Sequence, residues 1–125
     1  MATKQAIGEY SLKGTTIGFA PGPAGSVVVQ ANFEGTATGF GAVMCTMTAS
    51  PAGQPNGTWE SCGATYPDDG NSLTAAGRGT FSQSGSNRWR TNGHLQMSDG
   101  SKAHVEGELD LATRIWSGTL YAAGQ

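Results

Sequence analysis

The chain has 125 residues, which is enough for one domain built around one hydrophobic core. Hydrophobic residues make up 37% of it and charged residues 13%, so the chain is too apolar for disorder and too polar for a membrane span. Its net charge is −2 with only 7 lysines and arginines, which argues against nucleic acid as a partner because phosphate neutralisation needs a basic surface. The 20 glycines exceed the roughly 9 expected from a typical usage of about 7%, and glycines scattered through strands are typical of small curved sheets.

Period-two alternation of apolar and polar residues recurs along the chain, and no stretch shows a sustained helical repeat. Residues 6–19 predict one or two strands around Gly14, and the prolines of residues 18–25 predict a loop. Residues 27–37 place apolar side chains on one face, which predicts a half-buried strand. Residues 40–48 are apolar on both faces, so we expect this strand to be covered on both sides.

The middle of the chain reads as two turns around a further strand. The prolines and glycines of residues 50–57 predict a loop, and residues 67–71 predict a second turn. A strand around residues 58–66 lies between them. If the strands on either side of the first loop form a hairpin, we expect Phe40 to pair with Tyr66.

The C-terminal half shows the clearest alternation. Turn residues at 84–87 and 98–101 delimit a predicted hairpin, and a last strand covers residues 115–121. The predicted apolar face of the hairpin consists of Trp89, Thr91, Gly93, Leu95, Met97, Ala103, Val105, Gly107, Leu109 and Leu111. Glycines on that face favour tight curvature and, being small, would leave space inside unless aromatic side chains fill it.

About seven or eight strands with no room for a long helix predict an all-β fold in a single domain, residues 1–125. We expect an antiparallel barrel, with a β-sandwich as the alternative. Both place the alternating apolar rows inside.

The polar face of the C-terminal hairpin carries most of the residues with useful chemistry. Antiparallel pairing sets Arg90 against the acidic end of the second strand and gathers His94, His104 and Glu106 in one patch. One interpretation is a solvated outer face with cross-strand ion pairs worth about 0.2–1 kcal/mol each. The other is a polar lumen or mouth in which the histidines and Glu106 act as acid and base while Arg90 holds an anionic group.

A metal site on this patch would use two histidines and one carboxylate. Because the chain has no second His-x-His and no Cys-x-x-Cys, we expect no metal. The nucleotide-binding motifs and the nucleophile elbow are also missing from the sequence, so we expect no cofactor.

Residues 1–5 are not followed by an apolar segment, which predicts the absence of a signal peptide and a cytoplasmic location. Cys45 and Cys62 should then be reduced thiols. The neighbours of Cys45 offer no activating cation, so we expect it to be a buried core thiol and not a nucleophile.

Residues 27–41, which read VVVQANFEGTATGFG, resemble the first long hairpin of allene-oxide-cyclase-like barrels. In that group a strand ending in Phe-x-Gly and a nearby Gly-x-Gly bend are common, and lipocalin-like (calycin) barrels have a comparable architecture. The resemblance implies a barrel with an apolar lumen, and the plant cyclases act on a fatty-acid epoxide largely by shaping it. No catalytic motif of the group is found in this chain, and its charged C-terminal hairpin departs from the family pattern.

The leading functional hypothesis is a barrel that binds a small apolar or amphipathic molecule in its lumen. It depends on the strand count, the small inward residues and the missing catalytic signatures. The expected lining residues are Phe33, Phe40, Trp59, Trp89, Leu95, Val105 and Trp116.

Two alternatives stay open. The first is an enzyme on the same barrel, such as a cyclase, isomerase or lyase, that uses the patch around His94 and His104. The second is a structural or oligomerisation module, in which Val28, Ile115 and Tyr121 are candidates for a homo-oligomer interface.

Overall fold

The computed structural model describes residues 5–123, and within them eight strands form one closed antiparallel barrel. Each strand pairs with the next in sequence, and β1 pairs with β8 to close the sheet. The strands are β1 (Ala6–Pro21), β2 (Val27–Ala37), β3 (Gly41–Ser50), β4 (Asn56–Tyr66), β5 (Leu73–Gly85), β6 (Arg88–Met97), β7 (Lys102–Asp110) and β8 (Ile115–Ala122). The prediction of an all-β barrel is therefore confirmed.

The period-two pattern explains how the barrel is filled, because successive side chains on a strand point to opposite faces. Val29, Ala31, Phe33 and Ala37 of β2 point inward, as their alternation predicts, and the polar residues between them are exposed. The buried core consists of Tyr10, Leu12, Ala31, Phe33, Ala37, Met47, Ala49, Trp59, Val105, Trp116 and Leu120.

β1 is one long strand with a bulge, where the sequence predicted a loop from residue 18. Its register with β2 shifts between Gly14 and Thr16, and pairing then continues to Pro21. The loop predicted over residues 18–25 begins too early: residues 18–21 belong to β1, because proline is tolerated at the end of a strand, and residues 22–25 lie in the connection as predicted. The real connection is short and contains a 3₁₀ turn, Pro23–Gly25.

β3 differs from the expectation in two ways. Its outer face is open to solvent, since Met44 is 54% exposed, so the prediction of cover on both sides is wrong. Tyr66 pairs with Ala42 and not with Phe40. The reason is that Phe40 lies in a turn in which its amide donates a hydrogen bond to the carbonyl oxygen of Ala37, and β3 begins only at Gly41.

The barrel has two different ends. The end formed by the connections 22–26, 51–55, 86–87 and 111–114 is called the wide end here, and the end formed by the turns 38–40, 67–72 and 98–101 is called the narrow end. Leu111, predicted on the apolar face of the C-terminal hairpin, lies in a wide-end turn because β7 ends at Asp110. Residues of the wide-end connections line one interior cavity, and Phe40 of a narrow-end turn lines another.

No helix among residues 5–123 has the length and apolar character needed to cross a membrane. The expected absence of a signal peptide was inferred from the N-terminus, of which residues 1–4 lie outside the described part of the chain, and it stays a prediction.

Candidate functional site

Four aromatic side chains meet at the centre of the barrel. The ring of Trp116 makes edge-to-face contacts with the rings of Tyr10, Phe33 and Trp59, and the ring centroids are 5.9, 5.4 and 5.3 Å apart, respectively. Edge-to-face contacts at these distances are favourable because the positive ring edge meets the negative ring face. This aromatic cluster, defined as Tyr10, Phe33, Trp59 and Trp116, divides the interior into two cavities.

Glycines on facing strands make room for the aromatic cluster. A Cβ added at Gly93 would collide with the indole of Trp59, and one at Gly107 would collide with the hydroxyl of Tyr10. The sequence left open whether these small residues leave space inside or aromatic side chains fill it, and at these two positions the side chains of Trp59 and Tyr10 fill it. The remaining space lies on the two sides of the cluster, toward the wide end and toward the narrow end of the barrel.

Hydrogen bonds hold both tryptophans of the cluster in place. Nε1 of Trp116 donates to Oγ1 of Thr91 at 3.0 Å, and Nε1 of Trp59 donates to the carbonyl oxygen of Thr80 at 3.1 Å. Burial raises the pKa of Tyr10 to about 12, because a phenolate would be poorly solvated in this core. The cluster therefore forms a fixed and uncharged partition.

The wide-end cavity has a volume of about 340 Å³ and ends at the aromatic cluster. The seven strands β1 to β7 all contribute to its wall. The side chains that give it its apolar character are Ile17, Phe19, Val29, Ala31, Phe33, Met47, Ala49, Trp59, Phe81, Trp89, Leu109 and Leu111. Thr91, Gln54 and Arg114 are the polar side chains among its described lining residues. A concave apolar space with a few polar groups is the usual form of a small-molecule site.

The rim of the wide-end cavity leaves large apolar side chains in solvent. Phe19 is 68% exposed, Ile17 is 45% exposed and Leu111 is 44% exposed. Ile17 and Phe19 are exposed because β1 pairs with β8 only as far as Lys13, whereas its pairing with β2 continues to Pro21. The β1–β2 hairpin thus projects beyond β8 and carries its apolar side chains past the end of the core.

The narrow-end cavity is smaller, with a volume of about 90 Å³. Cys45 lines it, and burial raises the pKa of this thiol to about 11, with a smaller contribution from the nearby Cys62. Among the described residues, the buried hydroxyl of Thr65 has no hydrogen-bond partner. Cys62 points the other way and is exposed, and both cysteines are free. Cys45 is therefore a partly buried, weakly acidic thiol that is not suited to act as a nucleophile.

All seven residues predicted to line a ligand site contact one of the two cavities, but they do not enclose a common space. Phe33 and Trp89 line the wide-end cavity, and Trp59 lines both. Phe40, Leu95, Val105 and Trp116 line the narrow-end cavity. The single lumen expected from the sequence is divided because Trp59 and Trp116 extend across the axis of the barrel.

The residues predicted for acid–base chemistry are brought together on the outer face, outside both cavities. His94 pairs with His104 across β6 and β7, with ring centroids 4.9 Å apart. Nε2 of His104 lies 3.3 Å from Oε2 of Glu106, and these two side chains are 26% and 31% exposed. Arg90 stands opposite Glu108 on the same face. Of the two interpretations offered for this patch, the geometry matches the outer face with cross-strand pairs.

Two further side-chain pairs lie on this outer face. Nε of Arg88 lies 3.7 Å from Oδ2 of Asp110, and Oγ of Ser84 donates a hydrogen bond to Oε2 of Glu108 at 3.0 Å. No group of three or more potential metal ligands occurs within residues 5–123. The patch is a surface of alternating charges, and a substrate for it would have to bind outside the barrel.

Sequence reasoning missed several wide-end residues, among them Phe19, Leu111 as a rim residue, and Arg114. The assignment of residues 18–25 to a loop hid Phe19. One signal was present: the apolar positions Tyr10 and Leu12 are even-numbered, whereas Ile17 and Phe19 are odd-numbered, and such a change of phase within one strand is typical of a bulge. Arg114 carried no signal, because a single arginine in a turn is usually solvated.

The chain was compared with protein-family models, with curated proteins and with solved structures, and none of them matches it. The resemblance of residues 27–41 to allene-oxide-cyclase-like barrels thus stays a prediction, and the site is interpreted from its own geometry.

Proposed function

We propose that this barrel binds a small apolar or amphipathic molecule in its wide-end cavity. The observation that carries the proposal is the cavity itself, about 340 Å³ of space with aromatic and aliphatic walls. Ligand sites typically have volumes of about 300–1,000 Å³, so this cavity suits a small ligand.

The exposed rim supports the same proposal. Phe19 and Ile17 are more exposed than a packed core would leave them, and both belong to the cavity wall. Covering such side chains contributes roughly 25 cal/mol for each Å² of apolar surface removed from water. A ligand seated in the cavity would gain this contribution from both the wall and the rim.

The lining favours binding over proton-transfer catalysis. Among the described residues, the wall contains no Asp, Glu, His, Lys or Cys, and Arg114 is its one ionisable side chain. General acid–base catalysis needs a titratable group within hydrogen-bond reach of the reacting atom. The candidates for that role, His94 and His104, lie on the outer face of the barrel.

A fluorescence titration with the neutral probe N-phenyl-1-naphthylamine tests the proposal, because its emission rises when it leaves water. We expect saturable binding at one site per chain. In Ala52→Trp, an indole at the rim would fill the mouth and weaken binding at least tenfold. Ala42→Trp places the same side chain on the exposed outer face of β3 and should bind as the unmodified chain does. Absence of saturable binding, or equal binding by both variants, would refute the proposal.

A further inference from the structure

Arg114 is the only ionisable side chain among the described residues that line the wide-end cavity. It ends the turn between β7 and β8 and has a positive φ of 60°. Its carbonyl oxygen accepts a hydrogen bond of 2.8 Å from the amide of Gly14, which attaches the turn to β1. The backbone of Arg114 is thus fixed at the lip of the cavity.

The other two arginines at this end have acidic neighbours on the outer face. Arg88 lies near Asp110, and Arg90 stands opposite Glu108. Among residues 5–123, the guanidinium of Arg114 forms no ion pair or side-chain hydrogen bond. Its five N–H donors therefore stay available to a ligand.

Aromatic rings surround the cavity that begins beside this arginine. Phe33 and Trp59 belong to its floor, and Phe81 and Trp89 approach from β5 and β6. Flat aromatic ligands suit such walls, since offset and edge-to-face ring contacts contribute beyond the apolar area that they bury. The aromatic cluster also closes the floor, so the site suits a compact body better than a long chain.

We infer that the ligand of the wide-end cavity is a compact aromatic carboxylate whose rings lie among these aromatic side chains while its acid group pairs with Arg114. The inference depends on the proposed function and names the ligand class of the same cavity. A guanidinium suits a carboxylate because two parallel N–H donors match its two oxygens. Sequence reasoning gave the role of anion holder to Arg90 in the enzyme alternative; Arg90 stands opposite Glu108 on the outer face, and this inference gives the role to Arg114.

A matched pair of competitors tests the inference. Each displaces bound N-phenyl-1-naphthylamine, and the two differ only in the acid group: 2-naphthoate carries a carboxylate, whereas 2-naphthalenemethanol carries a neutral hydroxyl. We expect 2-naphthoate to displace the probe at a concentration about three- to tenfold lower. Arg114→Gln should abolish this preference, measured as the ratio of the concentrations at which the two competitors displace the probe from that variant.

Arg88→Gln is the control, because it removes a positive charge from the same end of the barrel but from the outer face. It should keep the preference for 2-naphthoate. In the unmodified chain, high salt should reduce the preference, since an ion pair at an exposed rim is screened.

Three results would overturn the inference: equal displacement by the two competitors, a preference that survives in Arg114→Gln, or decanoate displacing the probe better than 2-naphthoate. In each of them the neutral probe still binds, so the proposed function stands. If the neutral probe itself fails to bind, the proposed function is refuted along with the inference.

Discussion

Nε1 of Trp116 donates a hydrogen bond to Oγ1 of Thr91 across the centre of the barrel, where Thr91 is only 2% exposed. Trp116 lies in β8 and Thr91 in β6, so this bond joins strands that are not neighbours in the sheet. The indole of Trp116 also makes edge-to-face contacts with the rings of Phe33 and Trp59. One buried hydroxyl therefore fixes the floor of the proposed binding site.

Thr91→Val should destabilise the protein by about 1–3 kcal/mol, because it leaves the buried indole N–H without its acceptor while keeping the shape of the side chain. Urea unfolding followed by tryptophan fluorescence measures the change. Thr58→Val is the control, since Thr58 is exposed on β4, and it should change the free energy of unfolding by less than about 0.5 kcal/mol. Equal effects of the two variants would contradict the role given to the hydrogen bond.

Gly93→Ala should destabilise the barrel by about 1–3 kcal/mol, because the added Cβ would collide with the indole of Trp59 and crowd the carbonyl oxygen of Arg78. Thermal unfolding followed by circular dichroism gives the measurement. Gly18→Ala serves as the matched variant, since an added Cβ there has no atom within 4 Å. A stability loss no larger than that of Gly18→Ala would mean that Trp59 does not occupy this space.

Alkaline pH should weaken the fold through Tyr10 and Cys45. Burial raises the pKa of Tyr10 from 10.0 to about 12 and that of Cys45 from 9.0 to about 11. The unfolded chain loses these protons at lower pH than the folded protein does. Below about pH 9 both groups are neutral in either state, so their full contribution to the free energy of unfolding is present there. It falls as pH rises to about 12, by on the order of 2 kcal/mol for each group.

Urea unfolding at pH values below 9 and near 11 measures this loss. The double variant Tyr10→Phe, Cys45→Ala removes both groups and should lose less stability over the same interval. An identical decline in the double variant and the unmodified chain would show that other groups cause it.

The outer-face histidines should not contribute to ligand binding. We expect His94→Ala and His104→Ala to keep the affinity for N-phenyl-1-naphthylamine within about twofold, because neither residue lines the wide-end cavity. Their partly exposed contacts also predict stability losses below about 1 kcal/mol. A tenfold weaker affinity in either variant would revive the interpretation of the patch as a functional site.

Sequence alone predicts the barrel because alternation is a local property that survives folding. The strand of residues 27–37 and the hairpin of residues 88–110 both have the faces that their period-two patterns predict. The pairing of His94 with His104 also follows from that pattern and the short turn at residues 98–101. These features depend on neighbours that are close in sequence.

The features that the sequence did not predict depend on long-range packing. Trp59 occupies the space beside Gly93, which lies 34 positions later in the chain, so a small inward residue did not mean an empty lumen. The bulge after Gly14 moves Ile17 and Phe19 to the cavity side, although a uniform alternation from Tyr10 would place them outside. Arg114 reaches the rim only because its turn meets β1.

The central claim is that the wide-end cavity, and not the outer face, is where a ligand binds. A two-dimensional NMR titration with N-phenyl-1-naphthylamine tests it most directly, because each shifted signal locates the contact. We predict shifts of the indole N–H of Trp89 and of the backbone amides of Val29 and Leu109, with those of His94 and His104 unchanged. Shifts confined to the two histidines and their neighbours, or no shifts at saturating probe, would contradict the claim.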